Sequence, residues 1–370
     1  MRTGIAHLPL HYGKAPKWLF QRMKALAREI ITIIVEEFGP EEILRRLSDP
    51  FWFQAFGCVL GFDWHSSGLT TTVCGALKEG IKGMERDLGL FVAGGKGGTS
   101  RKTPREIEEV GHCLAVDAES LIYASRMAAK VDSAALQDGY QIYHHSFIFT
   151  PKGSWAVIQQ GMNEATRYAR RYHWLGEGVS DFVCEPHSAI CCDQRGYVLN
   201  MVALEAEGAR ETVASLSQER PEALISEVKK LQTLELPSSH QVLLRDIHPD
   251  RLYKVFIKTY ERQPQDFETI LGMEGVGPKT IRALALLSDL VYGKKPSFRD
   301  PVRFSFAHGG KDGYPYPVDR KGYDKSIEIL QKVVSSAKIG NREKLKAIQK
   351  LIELIGTHPI FKINRDTSHF

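Results

Sequence analysis

Cysteine is scarce in this chain, with six among 370 residues. So few thiols cannot staple a fold of this length, which excludes a disulfide scaffold and leads us to expect reduced side chains. Long apolar runs are also missing. The longest candidate, IITIIVEEF, is broken by Glu36 and Glu37, well short of the roughly 18 to 20 apolar residues that a bilayer span requires. The N-terminal stretch MRTGIAHLPLHYGKAPKW has basic residues but no apolar core ahead of a small-residue cleavage site, so a soluble, cytoplasmic protein is expected. No repeat of fixed period is present. The triphosphate pattern Gly-x-x-x-x-Gly-Lys-Ser/Thr is absent as well, which argues against a nucleotide-dependent switch.

What remains is globular in character. Hydrophobic residues make up 43% and charged residues 25% of the chain, the balance of a protein that buries a core. The length allows two or three domains. A formal charge of +5 permits a polyanionic partner without requiring one, so the clustering of charge must decide.

Apolar spacing predicts helix from Pro16 to Phe38, with Leu19, Met23, Leu26, Ile30, Ile33 and Ile34 on one stripe. The aromatic run FWFQAF reads as core, a helix is expected near Thr71 to Leu88, and helix resumes from Arg105 to Ala129. Alternation in IYHHSFIFT predicts a strand, and PKGS turns the chain into a second strand, WAVIQQG. Helix is expected through ATRYARRYHWL and a further strand within DQRGYVLNMVALE. The expected class is therefore α+β, mainly helical, with a central antiparallel hairpin or sheet and a C-terminal all-α domain. The expected divisions are residues 1–130, helical with a glycine-rich basic loop; 131–205, the β region packed on it; 206–240, a linker; and 241–370, the C-terminal domain.

The segment LGMEGVGPKT sits between two helical patterns. Pro278 suits the first helical position, where its missing N–H would have had no partner. Gly275 and Gly277 keep the loop free of side chains, so a phosphate can approach the amides at the positive end of the helix. Lys279, Thr280 and Arg282 follow directly. The run LGMEGVGPKTIRAL resembles the helix-hairpin-helix element of DNA repair proteins, which implies contact with the DNA backbone and little reading of base sequence. In the bifunctional glycosylases of that group a lysine just after the hairpin attacks the sugar and an aspartate downstream assists. The resemblance would assign those roles to Lys279 and Asp300. Asp300 is followed by proline, however, and no cysteine lies beyond Cys192 to build the iron–sulfur cluster common there.

Two more clusters carry candidate chemistry. AGGKGGTSRKTP can wrap an anion in backbone amides while Lys96, Ser100, Arg101 and Lys102 engage phosphate. Around the predicted hairpin, Asp132, Asp138, His144, His145, Gln159 and Gln160 can converge as catalytic groups. Asp132, Asp138 and His145 would suit Mg²⁺ or Mn²⁺ and an activated water. CEPHSAICC could hold a soft metal through Cys184, His187 and Cys191, but its spacing matches no common zinc pattern and small buried thiols are the simpler reading. FAHGGKDGYPYPVDR offers basic and aromatic groups that could touch DNA.

Taken together, GGKGGTSRKTP, VDSAALQDGYQIYHHSF, WAVIQQGMN, ARRYHWL and FAHGGKDGYPYPVDR resemble the prokaryotic family catalogued as domain of unknown function 763. That likeness implies a prokaryotic cytosolic protein and no mechanism. The residues themselves lead us to expect a DNA-binding, metal-dependent nuclease of DNA repair. A glycosylase with lyase activity and a non-enzymatic DNA-binding protein are the alternatives.

Overall fold

The computed structural model describes residue 8, residues 15–62, 66–192, 194–231 and 247–302, and positions 328, 332, 335 and 336. The basic, aromatic loop 306–320 and most of the C-terminal region expected over 241–370 lie outside the described residues beyond 302.

Four helices open the chain. α1 (Lys17–Phe38) buries Met23, Leu26, Ala27, Ile30, Ile31 and Ile34 along the anticipated stripe and stops at Gly39, whose φ is +85°. α2 (Pro40–Ser48) follows at once. Asp49 then caps α3 (Pro50–Val59) by accepting from Phe51 N and Trp52 N, which places the aromatic run on a buried helix. α4 (Gly68–Gly80) and the single turn α5 (Glu85–Leu88) lead to β1 (Phe91–Lys96). After a 3₁₀ segment over Gly97–Lys102 come α6 (Thr103–Glu109) and α7 (Ala118–Lys130), and α7 runs on into a π-helical turn, Val131–Ala135.

β2 (Leu136–Gln137) precedes the main strands β3 (Gln141–Phe149), β4 (Trp155–Asn163), β5 (Tyr168–Leu175) and β6 (Ala189–Cys191). These form a five-stranded antiparallel sheet in the order β1-β3-β4-β5-β6, while β2 pairs with the short β7 (Leu199–Asn200). α8 (Glu207–Ser217), α9 (Pro221–Leu231), α10 (Pro249–Arg262), α11 (Phe267–Gly272) and α12 (Pro278–Leu290) complete the described chain. Among the described residues no helix is long and apolar enough to cross a membrane. The fold is α+β, as expected.

The sheet lies between two helical layers. Ile148, Ala156 and Ile158 pack with α1 to α4 on one face, while Phe147, Phe149, Val157, Tyr172 and Trp174 pack with α7, α8 and the helices that follow. This second core draws on described residues between Phe91 and Val302, and the described part of the expected linker, 206–231, carries α8 and α9 packed into it.

Three local expectations are corrected. ATRYARRYHWL is largely β5, not helix, because Arg170 to Trp174 are all buried between the two layers and leave no solvent face for a helical stripe. The first residues of the expected loop AGGKGGTSRKTP, Ala93 to Lys96, belong to strand β1. Its Gly94 has φ +84° and sits so close to β3 that a Cβ there would stand 2.2 Å from His145 O, so only glycine lets the strands pair. The strand expected within 193–205 is limited to Leu199–Asn200.

Candidate nucleic-acid interface and buried acid–base network

Cross-strand register places the predicted polar residues in two rows. Lys96, His144, Gln160, Arg171 and Cys191 are successive partners across the five strands, and Gly95, His145, Gln159, Tyr172 and Ile190 form the adjacent row. Neighbouring residues on a strand face opposite ways, so His144 with Gln160 and His145 with Gln159 serve different layers.

On the α7 side a chain of hydrogen bonds joins the helix to the sheet. Ser125 Oγ lies 2.9 Å from His145 Nε2, His145 Nδ1 lies 3.0 Å from Gln159 Oε1, and Gln159 Nε2 donates to Asp132 Oδ2 at 2.5 Å. Trp174 Nε1 donates to the same carboxylate oxygen at 3.0 Å, and His187 Nε2 lies 2.5 Å from Asp132 Oδ1. Asp132 is 1% exposed, and its position in the π-helical turn matches the frequent use of such turns at functional sites. Burial pushes the His145 imidazole below its ordinary pKa, against the pull of Gln159 and Asp132. Beside His187 is a small cavity of about 40 Å³, also lined by Glu185, Asn200 and Pro301, and Glu185 holds a strained φ of +44°. The spacing of CEPHSAICC suggests buried thiols or a soft metal and gives no sign of a carboxylate partner for His187. Its relation to Asp132, 55 residues earlier, is set by the fold.

Asp138 belongs to a different cluster. Arg170, 1% exposed, donates to Asp138 Oδ2 at 3.0 Å and to both oxygens of Asp300 at 3.1 and 2.8 Å. Tyr172 OH and Tyr140 N also donate to Asp138, and Gly196 N and Val302 N to Asp300. Burial opposes the Arg170 charge, but Asp138, Tyr172 and Asp300 raise its pKa above the ordinary value and hold it charged. Both carboxylates are thereby engaged by Arg170.

On the opposite layer Gln160 accepts from Thr70 Oγ1 and donates to Ser67 O at 2.9 Å and to Tyr143 OH. His144 Nε2 is 3.1 Å from Ser146 Oγ, and its buried Nδ1 has no hydrogen-bond partner among the described residues. Burial, then His145 and Lys96, drive the His144 pKa down to about 3. Arg171 donates to Gln54 Oε1 at 2.7 Å, and burial lowers its pKa to about 10. These are interior groups.

The residues expected to hold a divalent ion do not fit one. Asp132 and Asp138 have separate partner sets, and among the described residues no three His, Cys, Asp or Glu side chains are grouped to hold a metal.

Of the expected phosphate contacts, Lys96, Arg101, Lys102, Gly275 and Lys279 are exposed. Lys96, Gly97, Gly98, Arg101 and Lys102 are exposed around the 3₁₀ segment, Lys96 stands 5.8 Å from the Tyr143 ring centroid, and Ser100 Oγ donates to Gly97 O at 2.6 Å. Between α11 and α12, residues 273–277 form a hairpin with Gly275 at φ +89° and Pro278 at the first turn of α12. A Cβ on Gly277 would meet nothing within 4 Å. Gly275 and Lys279 are exposed, whereas Thr280 is buried and Arg282 Nε donates to Gln137 Oε1 at 2.9 Å. A groove of about 740 Å³ is lined by Asp181, Glu207, Glu211, Asp266 and Glu268, with Arg210 the one cation among the described residues of its wall, a predominantly acidic lining that disfavours phosphate.

The fold and these sites define a three-layer α+β protein, with a buried histidine–carboxylate network inside the sheet sandwich and an exposed helix-linking hairpin outside it. No curated protein and no solved structure matches the chain. The model of the family described as Protein of unknown function (DUF763) matches residues 4–318, and the chain belongs to that family.

Proposed function

We propose that this protein binds the sugar-phosphate backbone of DNA at the hairpin 273–277, in the helix-hairpin-helix manner that its sequence resembles. The observation that carries the reading is the unobstructed Gly277 at the start of a 13-residue helix, with Lys279 exposed in its first turn. Backbone amides and a helix dipole favour an anion there, and they carry no base information. Lys96, Arg101 and Lys102 offer a second cationic contact. Fluorescence anisotropy with duplex and single-stranded DNA over a salt series tests this. Expected is binding that weakens steeply with salt, and a shallower slope for Lys279→Met. Absence of binding at low salt to either form would refute it.

A second reading, hydrolysis of the bound DNA, is favoured by the Asp132–His187 pair beside its cavity. A histidine oriented by a buried carboxylate can move a proton at its other nitrogen. The lyase reading gains no such support, since Asp300 is held by Arg170.

A further inference from the structure

Two residues outside the hairpin reach its backbone from the segment that carries Asp132. Lys130, the last residue of α7, donates from Nζ to Val276 O at 2.5 Å and lies 3.4 Å from Met273 O. Gln137 Nε2 donates to Pro278 O at 2.9 Å and to Ala134 O at 2.8 Å, while its Oε1 accepts from Arg282 Nε at 2.9 Å.

The direction of these bonds matters because a trans peptide unit is planar, with its C=O and N–H pointing opposite ways. The carbonyl of Val276 belongs to the same peptide as the N–H of Gly277, and that of Pro278 to the same peptide as the N–H of Lys279. Drawing the first carbonyl in toward Lys130 turns the Gly277 N–H outward. Holding the second against Gln137 does the same for Lys279. Neither amide has a backbone acceptor among the described residues, and neither has a side-chain cap. Lys130 is half-buried and burial lowers its pKa, while its ammonium is engaged by the carbonyls of Val276 and Met273. Glu274, the acid of the hairpin, projects into solvent 4.0 Å from Lys258 Nζ.

We infer that Lys130 and Gln137 are positioning residues for phosphate recognition: by fastening the carbonyls of Val276 and Pro278 they aim the Gly277 and Lys279 amides at one phosphate of the backbone. This rests on the DNA-binding reading above and adds residues that the hairpin sequence does not contain. Nothing in the spacing of LGMEGVGPKT points to a lysine some 146 positions earlier.

The test is anisotropy with one duplex over a salt series, comparing wild type with Lys130→Met, Lys130→Arg, Gln137→Leu and Lys279→Met. Lys130→Met is expected to bind about tenfold more weakly with the salt slope of wild type, because it touches no phosphate. Lys130→Arg is expected to recover most of the affinity, Gln137→Leu to show a smaller loss at unchanged slope, and Lys279→Met to lose about one unit of slope. Near-ultraviolet circular dichroism identifies a misfolded variant, in which case Gln137→Leu carries the test. Wild-type protein that binds while Lys130→Met and Gln137→Leu bind within twofold of it overturns the inference alone. A slope reduced in Lys130→Met as in Lys279→Met also overturns it, since Lys130 would then be a phosphate contact. Wild-type protein that does not bind removes the DNA-binding reading and this inference with it.

Discussion

Mild acid should weaken the fold through histidines that the sheet buries in their neutral form. His144 is the clearest case: its pKa falls from 6.5 to about 3, chiefly because burial opposes the charge, with smaller contributions from His145 and Lys96. Between those values the unfolded chain binds a proton that the folded chain refuses. Its contribution to stability is therefore complete above pH 6.5 and is lost as pH falls toward 3. By pH 5 the loss from this one residue is about 2 kcal/mol, a large part of a typical total of about 5–15 kcal/mol. His145 and His173 are shifted in the same direction by burial, so they add to the effect. Urea unfolding followed by tryptophan fluorescence at pH 5 to 7.5 measures it, with a constant m-value confirming that the same surface is exposed. Replacing His144 by asparagine should flatten the dependence between pH 6.5 and 5 by about 1 kcal/mol per pH unit. Wild-type stability that stays level over that range, or a His144→Asn variant with the wild-type slope, would refute the reasoning.

Two further outcomes follow from the interior clusters. Arg170→Met leaves Asp138 and Asp300 buried without their shared cation and should cost about 3–5 kcal/mol in urea unfolding; a loss under about 1 kcal/mol would show that the carboxylates find other partners. If the protein cleaves DNA, His187→Gln should lower the rate about 100-fold or more with near-ultraviolet circular dichroism unchanged. Cleavage by wild type and His187→Gln at equal rates would detach the His187 cavity from the chemistry.

The hairpin region was readable along the chain because its determinants are local. Asp266 caps α11, Pro278 opens α12 and Gly275 takes positive φ, all within one short run. The β3–β4 hairpin was readable for the same reason, since alternation and the PKGS turn act between neighbours. β5 was not, because YARRYHWL lacks both alternation and a helical stripe, and only coverage by two layers makes its arginines and histidine interior residues.

Residue chemistry alone also grouped Asp132, Asp138 and His145 as one site. The fold keeps His145 joined to Asp132 through Gln159 but sets Asp138 apart, and it supplies partners from far away in sequence: Trp174 and His187 for Asp132, Arg170 and Tyr172 for Asp138. By itself the sequence determined a mixed fold, a central hairpin and a helix-linking glycine turn, since caps, turns and periodicity act over a few residues. Only the tertiary structure decided which buried charges meet, because each carboxylate must find its hydrogen-bond donors wherever the packed layers bring them.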